Sequence, residues 1–108
     1  MWYLVLSRSL PEQKENKQLH LSEHRQWLEG QHRAGRVLFS GPTSDRSCGI
    51  YVVLASSLSA ARKLAAEDPD HVRGIGTMEV LEWNAHRAFR LDGPTIAEVE
   101  RMVTEGGA

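Results

Sequence analysis

Imidazole is the side chain that changes charge near neutral pH, so a search for acid/base chemistry in this chain begins with its five histidines. His24 stands apart from the others because it shares an i, i+3, i+4 stripe with Leu21, Trp27 and Leu28. On that stripe it is either a half-buried histidine satisfied by a backbone carbonyl or a residue placed to move a proton. Asp68 is the carboxylate to set beside it. An Asp before Pro69 commonly starts a turn or helix by capping free N–H groups. The same carboxylate can fix a histidine's tautomer and stabilise its imidazolium form, as in the hydrolase triads. Sequence spacing does not show whether the two side chains meet.

The remaining polar candidates are weaker. Ser40-Gly41-Pro42 reads as a tight turn closing a strand, or as a place where a missing Cβ lets a small molecule approach backbone N–H groups. His71, close behind Asp68, is a candidate to line the same site, though an exposed position suits it as well. His20 and His24 are spaced to share a helix face beside Glu23, but the pattern is not that of a zincin and lacks a third ligand, so no metal is expected. His32 and His86 sit among polar neighbours and read as solvated. Cys48, the single cysteine, has no thiol partner and no activating base, and reads as a small buried residue.

Composition narrows the classes. The chain has 108 residues, 41% of them hydrophobic, with 13 Lys plus Arg against 14 Asp plus Glu. That length suits one domain, with no room for a separate cofactor domain, and a cofactor-free chemistry is expected. A net charge of −1 argues against a phosphate-neutralising nucleic-acid surface. No apolar run approaches the ~20 residues needed to cross a bilayer. Met1 to Arg8 lacks the basic start and long apolar stretch of a signal peptide. A small soluble cytoplasmic protein is expected.

The elements that must position these residues follow from periodicity. Trp2 to Leu6 and Ile50 to Ala55 are short, β-branched and aromatic runs that predict buried strands. Ser9 to Asn16, polar and broken by Pro11, predicts a loop. Gln18 to Ala34 predicts one helix, weakened at Gly30 and stopped by Gly35. Val37 to Phe39 predicts a short strand, and Ser56 to Glu67 an Ala-rich amphipathic helix ended by Asp68-Pro69. Gly74 to Asn84 predicts a fourth strand, with a bulge or two buried faces where alternation breaks between Val80 and Leu81. Thr95 to Glu98 has capping-box spacing before a stripe of Ile96, Val99, Met102 and Val103, which predicts a short C-terminal helix.

The order is β-α-β-β-α-β plus a helix: an α+β, ferredoxin-like fold with an antiparallel four-stranded sheet. Its two main helices cover one sheet face, yet two of the strands are apolar at odd and even positions alike. A homodimer packed through the sheet faces is the economical cover for the second face.

Set in order, His24 to Leu28, Gly35 eleven residues after the His, Ser40-Gly41-Pro42, Gly49 to Val53, Ala60 to Pro69 and Glu82-Trp83 resemble the YciI-like (YCII-related) family of the dimeric α+β barrel superfamily. No single piece is specific; their shared order and spacing are. The resemblance runs from residue 1 to about 89 and divides the chain into a YciI-like domain, 1–89, and an extension, 90–108. It implies a dimer through the sheets and a site built around a His-Asp pair, by position His24 and Asp68. A characterised member is similar to a dehydrochlorinase of a chlorinated hydroxyhydroquinone. Asp70-His71 stands here where the family often has a bulky residue, which makes the pocket more polar and argues against carrying that substrate over. The extension could cap the barrel mouth or reach onto a neighbour.

The expected function is therefore acid/base chemistry, an elimination or isomerisation on a small organic acid or phenol. His24 would move the proton, Asp68 would hold it in register, and Ser40, Gly41 and His71 would contact the substrate. A non-catalytic small-ligand-binding or accessory dimer is the alternative. RNA recognition modules share the element order but need a basic, aromatic third strand, which Cys48 to Leu54 does not supply.

Overall fold

The computed structural model describes residues 1–86 and 96–106. Strand β1 (Trp2–Ser9) lies inside a four-stranded antiparallel sheet of order β2-β3-β1-β4, between β3 (Cys48–Leu54) and β4 (Gly76–Trp83). Its register is continuous on both sides, from Trp2 opposite Leu54 and Trp83 to Arg8 opposite Cys48 and Thr77. No bulge interrupts β4 against β1 where alternation was expected to break. Instead the strand has two apolar faces. Met78 and Val80 pack with the helix-side core, while Leu81 falls on the opposite face, where it and Trp83 are exposed.

The expected loop after β1 is largely helical. A 3₁₀ turn (Pro11–Gln13) leads into α1 (Lys14–Leu19), which buries no residue and so carries no apolar stripe for a sequence reading to detect. Pro11 is tolerated because a first-turn N–H has no intrahelical partner. The single helix expected from 18 to 34 is divided at His20, whose φ of −108° and ψ of 14° end α1 and open α2 (Leu21–Arg33). Gly30 does not interrupt α2. Gly35, at φ 74°, closes it in a Schellman arrangement, with Arg36 N–H to Gln31 O at 3.0 Å and Gly35 N–H to His32 O at 3.1 Å.

Strand β2 (Val37–Pro42) absorbs Ser40-Gly41-Pro42, which is strand rather than turn; Pro42 is admissible because β2 is an edge. An irregularity between Val37 and Ser40 shifts its register on β3, and the chain reverses in the segment 43–47. Ser57 caps α3 (Leu58–Ala66) by accepting the Ala60 N–H at 3.0 Å. Pro69 ends that run as expected and at once opens α4 (Pro69–Val72), capped by Asp68.

The core lies between the sheet and the helices. Tyr3, Val5, Tyr51 and Val53 from the central strands meet Ala61 and Ala65 of α3, with Trp27 and Leu28 of α2 packed against them. Alternation sends Trp2, Leu4, Leu6, Ile50 and Val52 to the other face. The C-terminal helix α5 (Ile96–Gly106) is present as expected, and the Met1 amine donates to Glu100 Oε1 at 2.8 Å, which holds α5 beside the start of β1. The capping box begins at Thr95, outside the described residues, as do the side chains of the stripe Ile96, Val99, Met102 and Val103 and the junction at 87–95 between the two expected parts of the chain.

Buried Gly76 is fixed by close approach: a Cβ there would lie 2.7 Å from the Arg8 carbonyl oxygen, across the ladder. Gly76→Ala is expected to pry β4 from β1 and to cost about 1–3 kcal/mol in urea unfolding.

Candidate active site

Packing on α2 decides where His24 goes. Trp27 stands edge-to-face on Tyr51 with centroids 6.0 Å apart, which locks the helix over β3. One turn earlier, His24 then lies over the junction of α3 and α4. Its Nδ1 is 2.9 Å from Asp68 Oδ1 across a sequence separation of 44 residues. Glu23 on the same helix receives both Arg73 Nε, at 3.1 Å, and Arg73 Nη2, at 2.8 Å, so the far end of α4 is tied to α2 as well.

Asp68 is wholly buried, at 0% exposure, and every partner it has is a donor. Oδ1 accepts from His24 and from the Asp70 N–H, the latter at 2.9 Å; Oδ2 accepts from the Tyr51 hydroxyl at 3.2 Å. The two readings of Asp68 are therefore both true: the carboxylate caps α4 and holds the histidine. Burial alone would disfavour the His24 imidazolium. The hydrogen bond and charge of Asp68, with the charge of Asp70, outweigh it and raise the imidazole above its ordinary 6.5. Burial, with Asp68 beside it, pushes the Tyr51 phenol far up, so Tyr51 is a neutral donor at any ordinary pH.

Asp70 is the second acid. It is buried, its Oδ2 is 3.6 Å from His24 Nδ1, and its Oδ1 has no hydrogen-bond partner among the described residues. Desolvation, with the neighbouring Asp68 charge, raises its carboxyl above the ordinary range despite His24.

These groups form the floor of a cavity of about 780 Å³ between α1, α2 and the ends of β1, β2 and β3. His24, Asp70, Tyr51, Ser40 and Gly41 line it; Asp68 lies behind them. With Nδ1 engaged by Asp68, Nε2 is the imidazole nitrogen left for a bound molecule. Space is open where a Gly41 Cβ would stand, whereas the Ser40 hydroxyl is 2.8 Å from His32 Nε2. His32, expected to be solvated, is thus half-buried and engaged.

His71 is corrected. It is exposed and does not line the cavity, because α4 directs Asp70 inward and the next residue outward. Two participants were missed as such: Tyr51, read as a strand residue, and Asp70, noticed as added polarity. The signal for Tyr51 was its place among the alternate core-facing residues of β3. His20 does not pair with His24; its Nδ1 is 3.7 Å from Glu23 Oε2. The grouping with metal-type donors is a different one, His24, Asp68 and Asp70, whose ligand atoms lie within 4.8 Å of one another. In it both Asp68 oxygens already accept N–H or O–H donors.

Comparison with known proteins places the family and the fold. A family model described as the YCII-related domain matches residues 1–84. The uncharacterized protein YjpA of Bacillus subtilis (strain 168) is 30% identical over 81 residues, which span 75% of this chain and 94% of that protein. The solved structure of the 5-chloro-2-hydroxyhydroquinone dehydrochlorinase TftG from Burkholderia phenoliruptrix, in complex with 2,5-dihydroxybenzoquinone, aligns with a TM-score of 0.68. Its identity is 18%, over 78% of this chain and 94% of that one, so the likeness is one of fold: α+β, four antiparallel strands, βαββαβ order.

Proposed function

Because this chain belongs to the YCII-related domain family, we propose that it is a small enzyme that moves protons on a small organic substrate, in an elimination or isomerisation, with groups supplied by the protein itself. The observation that carries this reading is the 2.9 Å contact between His24 Nδ1 and a carboxylate that is wholly buried and held by two further donors. That carboxylate, with donors on both of its oxygens, orients the ring. The imidazolium it favours presents Nε2–H to the cavity as a general acid, and the neutral ring formed after donation takes the proton back. Similarity to a dehydrochlorinase fold supports a small-molecule substrate.

The test is a survey of small organic acids, phenols and enolisable ketones in D₂O, read by NMR for deuterium incorporation or loss of a leaving group. Exchange that the wild type catalyses and His24→Ala does not supports the reading. Equal exchange with both proteins removes it.

The assembly we propose is a homodimer through the open sheet face, where Leu4, Leu6 and Ile50 stand beside exposed Leu81 and Trp83. A face this apolar on a lone subunit would invite aggregation, and an identical face is the simplest cover. Light scattering on a sizing column is expected to give a dimer for the wild type and a monomer for Leu81→Lys, which places a charge on a side chain already exposed in the subunit. A wild-type monomer at micromolar concentration excludes the dimer.

A further inference from the structure

The chain as a whole is slightly acidic, with a net charge of −1, yet the cavity that ends at His24 gathers cations. Lys14 and Lys17 reach it from α1, Arg25 from α2, and Arg46 from the loop between β2 and β3. The side chains of Lys14, Arg25 and Arg46 have no hydrogen-bond or ion-pair partner among the described residues. Lys17 Nζ donates to the Ser9 hydroxyl and lies within electrostatic reach of Asp70. Of the carboxylates lining the cavity, Asp45 is engaged by Thr43 and Ser47 of its own loop, and Asp70 lies on the floor beside His24.

Single solvated lysines and arginines mean little. Three separate elements delivering four cations to one mouth, against two carboxylates in its lining, is a field that concentrates anions. Arg46 adds a conformational cost: it holds φ 63°, a left-handed backbone that an arginine rarely adopts.

We propose that the cavity takes a small organic anion, a single-ring or similar-sized carboxylate or enolate, with its acidic group held by Lys14, Lys17, Arg25 and Arg46 and its reacting end at His24. This rests on the acid/base reading above and narrows it from any small organic molecule to anionic ones. The cations hold the charged end at the mouth, and the protonated imidazole meets the uncharged end at the floor.

Benzoate and benzamide are the probes, alike in shape, the first an anion and the second uncharged. In a ¹⁵N–¹H NMR titration of the full chain, benzoate is expected to shift the amides around Arg25 and Arg46 saturably, and more weakly as NaCl is raised. Benzamide at the same concentrations is expected to leave them unmoved. Replacing both exposed arginines (Arg25→Gln with Arg46→Gln) is expected to weaken benzoate roughly fivefold or more. Benzamide binding as tightly as benzoate, benzoate binding unchanged in the double variant, or no shift with either probe overturns the proposal. The two readings fail separately. Benzoate bound as described, with no His24-dependent exchange on any compound, leaves the anion site and removes the acid/base function. His24-dependent exchange on neutral compounds, with no preference for benzoate, does the reverse.

Discussion

In an Asp68→Asn variant the titration midpoint of His24, followed by NMR of the ring protons, is expected to fall. Burial pushes the charged form of that imidazole down, and Asp68 and Asp70 push it up. Asn keeps the size and can still accept from His24 and from the Asp70 N–H, but it removes the nearest charge. Burial then competes against Asp70 alone, with Lys17 adding to the downward pull.

The sign carries into stability. The folded-state midpoint of His24 lies above its unfolded value of about 6.5, so folding takes up protons. The contribution of the pair is fully present below that value and is lost as pH rises through the raised midpoint. Urea unfolding at a series of pH values is expected to show this decline in the wild type and a flattened one in Asp68→Asn. Asp68→Ala is harsher. It leaves Tyr51 Oη, the Asp70 N–H and His24 without their acceptor in a site with no water access at Asp68, and is expected to cost about 3 kcal/mol or more. A His24 midpoint that Asp68→Asn leaves in place would show that the carboxylate does not govern the imidazole.

His24→Ala is expected to lower kcat by about 10²- to 10⁴-fold on whichever compound the exchange survey identifies, with a much smaller change in KM. Orientation in the cavity survives this variant; the proton donor does not. Because Ala also strips a partner from buried Asp68, His24→Asn is the companion variant. Its amide can still donate to Asp68 but cannot pass a proton on, so it is expected to lose the same rate while unfolding closer to the wild type. The active form carries the proton on His24, so kcat/KM is expected to decline as pH rises through the imidazole midpoint. That limb moves to lower pH in Asp68→Asn. A His24→Asn protein that keeps its turnover assigns the histidine to architecture alone.

Element identity was largely legible because it rests on local periodicity. A short β-branched and aromatic run marked β3, the Ala-rich stripe and a serine cap marked α3, and Gly35 marked the end of α2, where its φ of 74° now stands. Apolar residues on both faces of β1 and β3 foretold a sheet with a second apolar surface. Polar α1 was not legible, since an all-exposed helix leaves no hydrophobic period and Pro11 argued for a loop. The turn expected at Ser40-Gly41-Pro42 failed because an edge strand accepts residues that a central one would reject.

The sequence by itself determined that His24 and Asp68 were chemically able to act and that His24 would ride on an amphipathic helix, because residue type and spacing are properties of the chain over a few turns. Only tertiary structure decided which of them meet. Helix α2 docks through Trp27 on Tyr51, and that contact carries His24 to Asp68 across a sequence separation of 44. The direction of a four-residue helix turned Asp70 into the cavity and His71 out of it. Cations scattered along α1, α2 and a loop became one electrostatic mouth only when those elements converged. Contacts of that kind are selected by the packing of the whole core, and no local pattern encodes them.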